Sequence, residues 1–423
     1  MKVLWITNQP IGGAAKRLSF AGASGTWMDP PLYALSKDSR VELSVAFICG
    51  VSEYQTFTEE NVAYYCVPRG KGVLYDFESN ENKRLWKEII DTVAPDVMMV
   101  WGTEYLHSLC AIRAAEGIPT VILMQGILNS VERHYLGGMS AEELKKAHSL
   151  REFLKNDSIQ TQKKSYKKRA QYEQEMLRRA GNVIVESKWA ASVVKAIAPD
   201  CEIHTFRLNN KPVFFEKKWS FESCKKHSVF CTAPVGYPLK GLHILLNAMK
   251  IVCRKYPDAV LRIPGMADPF VDGFLNNLKQ NGYTKYIKRL IVENGLQKNI
   301  QFLGRLDSNQ MAEEIVGANV FVTPSCIENH SVSLREAMAV GIPCVASYVG
   351  GVPEIVDNEK TGCLYRFEEY EHLASIMLEL MDDPEKSTEI GAAARKYIHQ
   401  YLSEYTSSDT LVDIYKTLLL GEA

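Results

Sequence analysis

The sequence predicts an α/β fold repeated in two successive domains, and three observations carry that prediction. Short β-branched runs alternate with longer helical patterns from end to end, the alternation breaks and restarts near residue 210, and 423 residues exceed one ordinary core. The first series of predicted strands is Val3 to Thr7, Val41 to Cys49, Val62 to Val67, Asp96 to Trp101, Thr120 to Met124 and Asn182 to Glu186. The second is Ser228 to Thr232, Val260 to Ile263, Ile300 to Leu303, Val320 to Thr323, Cys344 to Ser347 and Cys363 to Tyr365. Near-continuous apolar strands of this kind belong to parallel sheets covered by helices on both faces.

Between the two series lies the polar stretch Leu208-Asn209-Asn210-Lys211-Pro212, which reads as a linker. The domains are therefore expected at 1–210 and 211–400. After Tyr365 the pattern is helical through Leu373 to Met381, Ser387 to Tyr397 and Leu411 to Leu420, and the helix within 401–423 is expected to pack back towards the first domain.

Hydrophobic content of 46%, charged content of 23% and a formal net charge of −1 give no electrostatic bias towards nucleic acid, so no nucleic-acid partner is expected. The ten cysteines form no C-x2-C pair and no cluster of metal spacing, which argues against zinc and redox-motif readings. Several lie in apolar runs, such as Val229-Phe230-Cys231, where a thiol is a small buried hydrophobe and a reducing cytoplasm is implied. The N-terminal apolar run is too short for a secretion signal, and nowhere do eighteen apolar residues run together.

The most informative stretch runs from Phe321-Val322-Thr323 through Pro324-Ser325-Cys326-Ile327-Glu328-Asn329-His330 into a helix expected to begin near Ser331. The first turn of a helix leaves backbone N–H groups unpaired and carries partial positive charge, so amides from Ser331 through Val332 and Ser333 to Leu334 form a seat for a diphosphate. Glu328 precedes the helix and Glu336 lies eight positions later, so the two carboxylates would serve opposite ends of an elongated ligand. The competing reading is purely structural, with Glu336 supporting its helix and Glu328 capping it, and the spacing alone is a weak signal.

Glu328 and Glu336, continued by Ala337-Met338-Ala339-Val340-Gly341-Ile342-Pro343 and by Gly350-Gly351-Val352-Pro353-Glu354, closely resemble the E-x7-E region of retaining glycosyltransferases of family 4. Upstream, Tyr237-Pro238-Leu239-Lys240-Gly241-Leu242-His243 resembles that family's phosphate-binding lysine loop, and Phe302-Leu303-Gly304-Arg305-Leu306 its strand and turn beside the nucleoside. The resemblance implies the GT-B fold, two Rossmann-like domains with parallel sheets facing across a deep cleft. It also implies a nucleotide-sugar donor, a UDP-sugar by preference, and transfer with retention and without a bound metal or other cofactor. The sequence shows no D-x-D motif for a metal. Glu328 and Lys240 would be catalytic, with Glu328 at the sugar and Lys240 against the diphosphate. Glu336 would accept from ribose hydroxyls, and Gly241, Arg305, Asn329 and His330 would line the donor site. The competing reading of Lys240 is a solvated lysine at a helix start, where a cation is mildly unfavourable. Many relatives carry an arginine shortly before this lysine, whereas Thr232 to Leu239 contains none.

In the first half, Gly25-Thr26-Trp27 resembles a Gly-Gly-Trp turn of the branch that builds extracellular and capsular polysaccharides, with Thr26 in place of the second glycine, and the resemblance implies that backbone amides of Gly25 and Thr26 bind the donor's phosphates. Gly102-Thr103-Glu104-Tyr105-Leu106-His107 and Gln125-Gly126-Ile127-Leu128 resemble the next two loops of that branch, with Gln125 where many relatives have histidine. The acceptor, a saccharide or lipid-linked saccharide, is thus expected at Glu104, His107, Gln125, Gly126 and His134. For Glu104, His107 and His134 a structural polar role is the competing reading.

A dehydrogenase reading of the early glycines fails because no G-x-G-x-x-G directly follows the first strand. A nucleotide-sugar epimerase or hydrolase of the same architecture, or a non-catalytic sugar-nucleotide binding partner, are the rival functions. From Lys145 to Arg179 the chain is helical in pattern and locally basic, including Lys163-Lys164 and Lys167-Lys168-Arg169. A solvated helix face is the default there, and peripheral contact with anionic lipid at the inner membrane face is the sharper hypothesis.

Overall fold

The computed structural model describes residues 1–20, 26–69, 78–234, 236–265, 268–270, 280–404 and 406–421. The chain forms two compact units. The first comprises Met1–Asn129, Lys167–Asn209 and Leu402–Ala423, and the second comprises Ser130–Tyr166 and Asn210–Tyr401. The chain therefore changes unit near the linker at 210 and also at 129/130, 166/167 and 401/402, so residues 130–166 pack with the second unit.

In the first unit the strands are β1 (Lys2–Thr7), β2 (Glu42–Cys49), β3 (Gln55–Glu59), β4 (Val62–Pro68), β5 (Val97–Trp101), β6 (Thr120–Leu123), β7 (Gly181–Val185) and β8 (Glu202–Thr205). They form one sheet in the order β3-β4-β2-β1-β5-β6-β7-β8. All neighbours are parallel except β3, which runs antiparallel to β4. β1 pairs with β2 on one side and β5 on the other, so the loops after β1 and β5 diverge at a switch point, the usual ligand position in open α/β sheets.

All six predicted strands of this half are present; β3 and β8 were not predicted. Both are edge strands with only partial burial, so neither shows the apolar run that marked the others. The turn between β3 and β4 places Glu60 at φ 50° and Asn61 at φ 63°, the paired positive dihedrals of a two-residue hairpin. The helix Ser408–Leu420 packs within this unit, where the Trp5 indole N–H donates to the Tyr415 hydroxyl at 3.0 Å.

In the second unit β9 (Ser228–Phe230), β10 (Val260–Pro264), β11 (Ile300–Gly304), β12 (Val320–Thr323), β13 (Cys344–Ser347) and β14 (Cys363–Tyr365) form a wholly parallel sheet in the order β11-β10-β9-β12-β13-β14. Its strands are mostly buried, as a sheet covered on both faces requires. The switch point falls between β9 and β12, which positions the loops that follow those two strands beside each other.

Candidate functional site

The lysine loop follows β9 and the Glu328 loop follows β12, so topology alone brings the two sequence motifs to one end of the second sheet. A single turn of 3-10 helix, Pro238–Lys240, leads through Gly241 into the long helix Leu242–Lys255. Gly241 stands at φ 67°, and a Cβ there would lie 1.7 Å from the Pro324 carbonyl oxygen. The backbones of the two loops approach so closely that glycine is required. The Cys326 N–H donates to the Leu239 carbonyl at 2.9 Å, which fastens the loops a second time.

This contact delivers Lys240 to Glu328. The ammonium donates to the Glu328 carboxylate, and the Ser325 hydroxyl donates to the same Oε1 at 2.7 Å. Burial pulls the Lys240 pKa down, but the adjacent Glu328 carboxylate outweighs it and leaves the lysine above its ordinary value and charged. The carboxylate side chain is only 11% exposed, against 34% for the lysine, so the cation reaches towards solvent from a fixed anion. Glu328 is in turn held by its own backbone. The Gly351 N–H donates to its carbonyl at 3.1 Å, and a Cβ on Gly350, which stands at φ 52°, would lie 1.8 Å from that oxygen. The two glycines of Gly350-Gly351-Val352 thus serve a close backbone approach that nothing in their spacing discloses.

The helix begins where the sequence predicted. Ser331 is its N-cap, accepting from the Leu334 N–H at 3.4 Å, and the helix runs Val332–Val340. Ser333 accepts from the Thr232 hydroxyl at 3.0 Å, a further tie between the loop after β9 and the helix start. Glu336 lies one turn deeper and half-buried. Burial pushes its carboxyl up from 4.5 to about 7, while Lys211 and Arg335 hold it down. Lys211 itself donates to the Ser308 hydroxyl at 2.6 Å. His330 is buried, stacked on Tyr401 at 5.7 Å with its Nε2 2.9 Å from the tyrosine hydroxyl, so its ring is engaged within the fold. Asn329 is half-buried, and Arg305 is exposed just after β11.

His134 stands in this second unit and not with the other acceptor-side candidates. Its Nδ1 is 2.9 Å from the Ser130 carbonyl, and its own carbonyl accepts from the Cys326 thiol at 3.3 Å. The segment around it wraps the lysine loop: the His243 ring lies 2.9 Å from the Gly137 carbonyl through Nε2 and 2.9 Å from the Tyr283 hydroxyl through Nδ1. Burial lowers the His243 pKa to about 4, so the ring is neutral.

The first unit holds a separate set. At the ends of β1, β2, β4, β5 and β6 a cavity of about 350 Å³ is lined by residues that include Gln9, Trp27, Arg69, Tyr105 and Gln125. Gly25 lies outside the described residues, and of Thr26 only the backbone is described, in the short turn Thr26–Met28. The following helix, Asp29–Leu35, carries Pro30 in its first turn, where proline's missing N–H costs nothing.

Glu104 accepts from the Gly126 N–H at 2.8 Å and so joins two of the expected loops to each other. Burial pushes its carboxyl up, with that amide acting against it. His107 is a correction. It was expected to face a ligand, but its ring is 1% exposed, 5.9 Å from Trp86, with Nε2 3.0 Å from the Thr7 carbonyl. Burial depresses its pKa to about 3, so it is a neutral core residue: it is the first residue of the helix His107–Ala114, which carries the ring inwards.

Glu173 is fully buried in the helix Ile159–Ala180. Its carboxylate accepts from the Thr103 hydroxyl at 2.6 Å, the Leu128 and Asn129 N–H groups at 2.9 Å each, and the Asn129 amide at 2.7 Å. It clamps the loops after β5 and β6. In the same helix Arg169 is buried and donates to the Glu104 carbonyl, which removes it from any solvated basic face. Lys164, Lys167 and Lys168 remain exposed. Among the described residues no helix is long and apolar enough to cross a membrane, and no three His, Cys, Asp or Glu side chains stand together as a metal site.

Residues 213–397 match the family Glycosyl transferases group 1. The chain is 29% identical over 184 residues to a GDP-mannose-dependent monoacylated alpha-(1-6)-phosphatidylinositol monomannoside mannosyltransferase of Corynebacterium glutamicum, covering 42% of this chain and 44% of that protein. It is 27% identical over 180 residues to a D-inositol 3-phosphate glycosyltransferase of Corynebacterium urealyticum, covering 43% of this chain and 41% of the relative. The matches thus span less than half the length of these curated relatives.

Among solved structures, sucrose-phosphate synthase of Thermosynechococcus elongatus aligns over 100% of both chains with a TM-score of 0.70 at 15% identity. Anabaena HepE in complex with UDP and glucose aligns over 99% of both chains with a TM-score of 0.65 at 17% identity. The fold is that of GT-B glycosyltransferases, with two parallel-sheet domains. Through residues 213–397 the chain carries a glycosyl transferases group 1 region on that fold.

Proposed function

We propose that this protein is a retaining, metal-independent glycosyltransferase that moves a sugar from a nucleoside diphosphate donor held by the second unit to a saccharide or lipid-linked saccharide held by the first. The observation that carries the reading is the Lys240–Glu328 pair, fixed by a glycine-only backbone contact beside the N-terminus of the helix Val332–Val340. In this reading the helix amides and Lys240 take the charge that builds on the departing diphosphate, and Glu328 stands by the sugar, where positive charge develops at the anomeric carbon. The acceptor hydroxyl attacks from the face the diphosphate leaves, and the departing phosphate oxygen takes its proton. Lys240 and the helix start supply the positive charge that a divalent cation would otherwise bring.

A UDP-sugar is the donor favoured by the sequence resemblance. GDP-mannose is the second reading, supported by the GDP-mannose dependence of the Corynebacterium glutamicum relative. In this reading the acceptor belongs to cell-surface glycan synthesis and the enzyme acts in the cytoplasm, where the exposed Lys164, Lys167 and Lys168 would meet an anionic membrane face.

Glu336 gives this donor site a pH signature. With its carboxyl at about 7 in the folded chain and 4.5 as its ordinary value, the folded state keeps a proton between these limits that the unfolded state has lost. The stability it contributes to the ligand-free protein is therefore full below about pH 4.5 and is lost as pH rises to about 7. Ribose hydroxyls donate best to the ionised form, and a nucleotide-sugar has no group of its own titrating near neutrality. Its affinity is thus expected to rise about tenfold from pH 6 to pH 8 in wild type and to stay flat in Glu336→Gln, as calorimetric titration will read.

The test of the function itself is release of free nucleotide from UDP-glucose and GDP-mannose with and without a cell-envelope glycan extract. Transfer predicts release that depends on the extract. Equal release without it favours a hydrolase, and interconversion of the sugar with no release favours an epimerase.

A further inference from the structure

The cavity in the first unit carries an uneven chemistry. Its lining holds three side-chain amides, Asn8, Gln9 and Gln125, which can both donate to and accept from sugar hydroxyls. Trp27 and Tyr105 add aromatic faces, which suit the apolar side of a sugar ring. Among the described residues that line it there is one formal charge, the guanidinium of Arg69, and no carboxylate.

Arg69 is also held ready. Its backbone N–H donates to the Cys49 carbonyl at 2.6 Å, which fixes the chain just past β4. Its guanidinium lies over the Tyr105 ring at 5.5 Å, a contact that orients a planar cation without using its hydrogen-bond donors. Among the described residues no Asp or Glu forms an ion pair with it, whereas Arg17, Arg40, Arg113 and Arg262 in this protein each have one. An oriented fork of donors in the lining of an amide-rich cavity, with no ion-pair partner among the described residues, matches a carboxylate or phosphate presented by the ligand.

We infer that the acceptor is an anionic saccharide, and that Arg69 selects it by pairing with a carboxylate or phosphate carried on the sugar bound in this cavity. This rests on the proposal that the first unit takes the acceptor, and it names the class of acceptor within that reading. A sugar of about this cavity's size contributes several hydroxyls that neutral and charged acceptors share, so the amides give affinity and Arg69 gives the discrimination.

The experiment titrates the full-length protein with D-glucose, D-glucuronate and D-glucose 6-phosphate by ligand-observed NMR, in wild type and Arg69→Gln. In wild type at least one of the two anionic sugars is expected to bind about tenfold more tightly than glucose, the effect of one hydrogen-bonded charge. Arg69→Gln is expected to abolish that preference while glucose binding stays within about twofold. Preference for glucuronate alone assigns a uronate-type acceptor, and preference for the phosphate assigns a sugar phosphate. Equal binding of all three sugars, binding of none, or a preference that survives Arg69→Gln overturns the inference. Binding of UDP-glucose and GDP-mannose is measured in the same samples. If a nucleotide-sugar binds both proteins equally while the anion preference is missing, only the acceptor class is refuted. Loss of all nucleotide-sugar binding in wild type refutes the function on which it rests.

Discussion

Lys240→Ala is expected to lower the turnover of bound donor at least 100-fold, with a smaller change in the KM for the nucleotide-sugar. The lysine is charged and reaches from the buried Glu328 carboxylate towards solvent, where a leaving diphosphate would meet it. A cation there interacts with the ground-state diphosphate as well, but the charge on the bridging oxygen grows as the glycosidic bond breaks, so most of the loss falls on kcat. Removing the lysine also takes a donor from the Glu328 carboxylate, which keeps the Ser325 hydroxyl at 2.7 Å. Lys240→Arg separates the two roles: it keeps a cation beside Glu328 and is expected to retain the fold while recovering part of the turnover. Steady-state nucleotide release at saturating donor, with thermal unfolding of the same samples, checks both statements.

Gly241→Ala is expected to destabilise the protein by about 3 kcal/mol or more, a large share of the stability of a typical domain. Two costs add. An alanine at φ 67° sits in the left-handed region, and its Cβ would be 1.7 Å from the Pro324 oxygen, which is backbone and has no rotamer by which to move aside. Gly295 is the control, because it stands at φ 68° with no atom within 4 Å of an added Cβ. Gly295→Ala is therefore expected to cost about 1 kcal/mol, the conformational term alone. Urea denaturation of the two variants isolates the steric part of the difference. Whatever folded Gly241→Ala remains is expected to bind donor poorly, since the same contact sets the distance between Lys240 and Glu328.

These two residues also mark how far the sequence could be read. Twelve strands and the helix that starts at Ser331 were legible because buried parallel strands leave continuous apolar runs and because a serine before an apolar periodic stretch is a capping signal. The edge strands β3 and β8 were not, since a half-exposed strand has half the pattern. Lys240 and Glu328 were each picked out by resemblance, but that they meet depends on the order β9-β12 in the sheet, a long-range fact with no local trace.

The first unit was harder to read because its polar residues divide between structure and surface by burial alone. His107 turned inwards to Thr7, and Glu173 became a clamp for two loops, although nothing in the spacing of either distinguishes it from an exposed neighbour. Residues 130–166 were assigned to the first half by position. Their packing with the second unit is carried by contacts such as Glu152 accepting from the Gly282 N–H at 2.6 Å and the Tyr286 hydroxyl donating to Glu143 at 2.6 Å.

The central claim, that the loops after β9 and β12 seat a nucleotide-sugar, is tested most directly by thermal unfolding of the full chain with UDP-glucose, UDP and GDP-mannose. A ligand that binds only the folded state raises Tm in proportion to its excess over Kd. At least one of these is expected to raise Tm in the wild-type protein by several degrees, with a reduced but measurable shift in Lys240→Ala, whose main loss is in turnover. A Tm that none of them moves, or a shift fully kept in Lys240→Ala, would contradict the account.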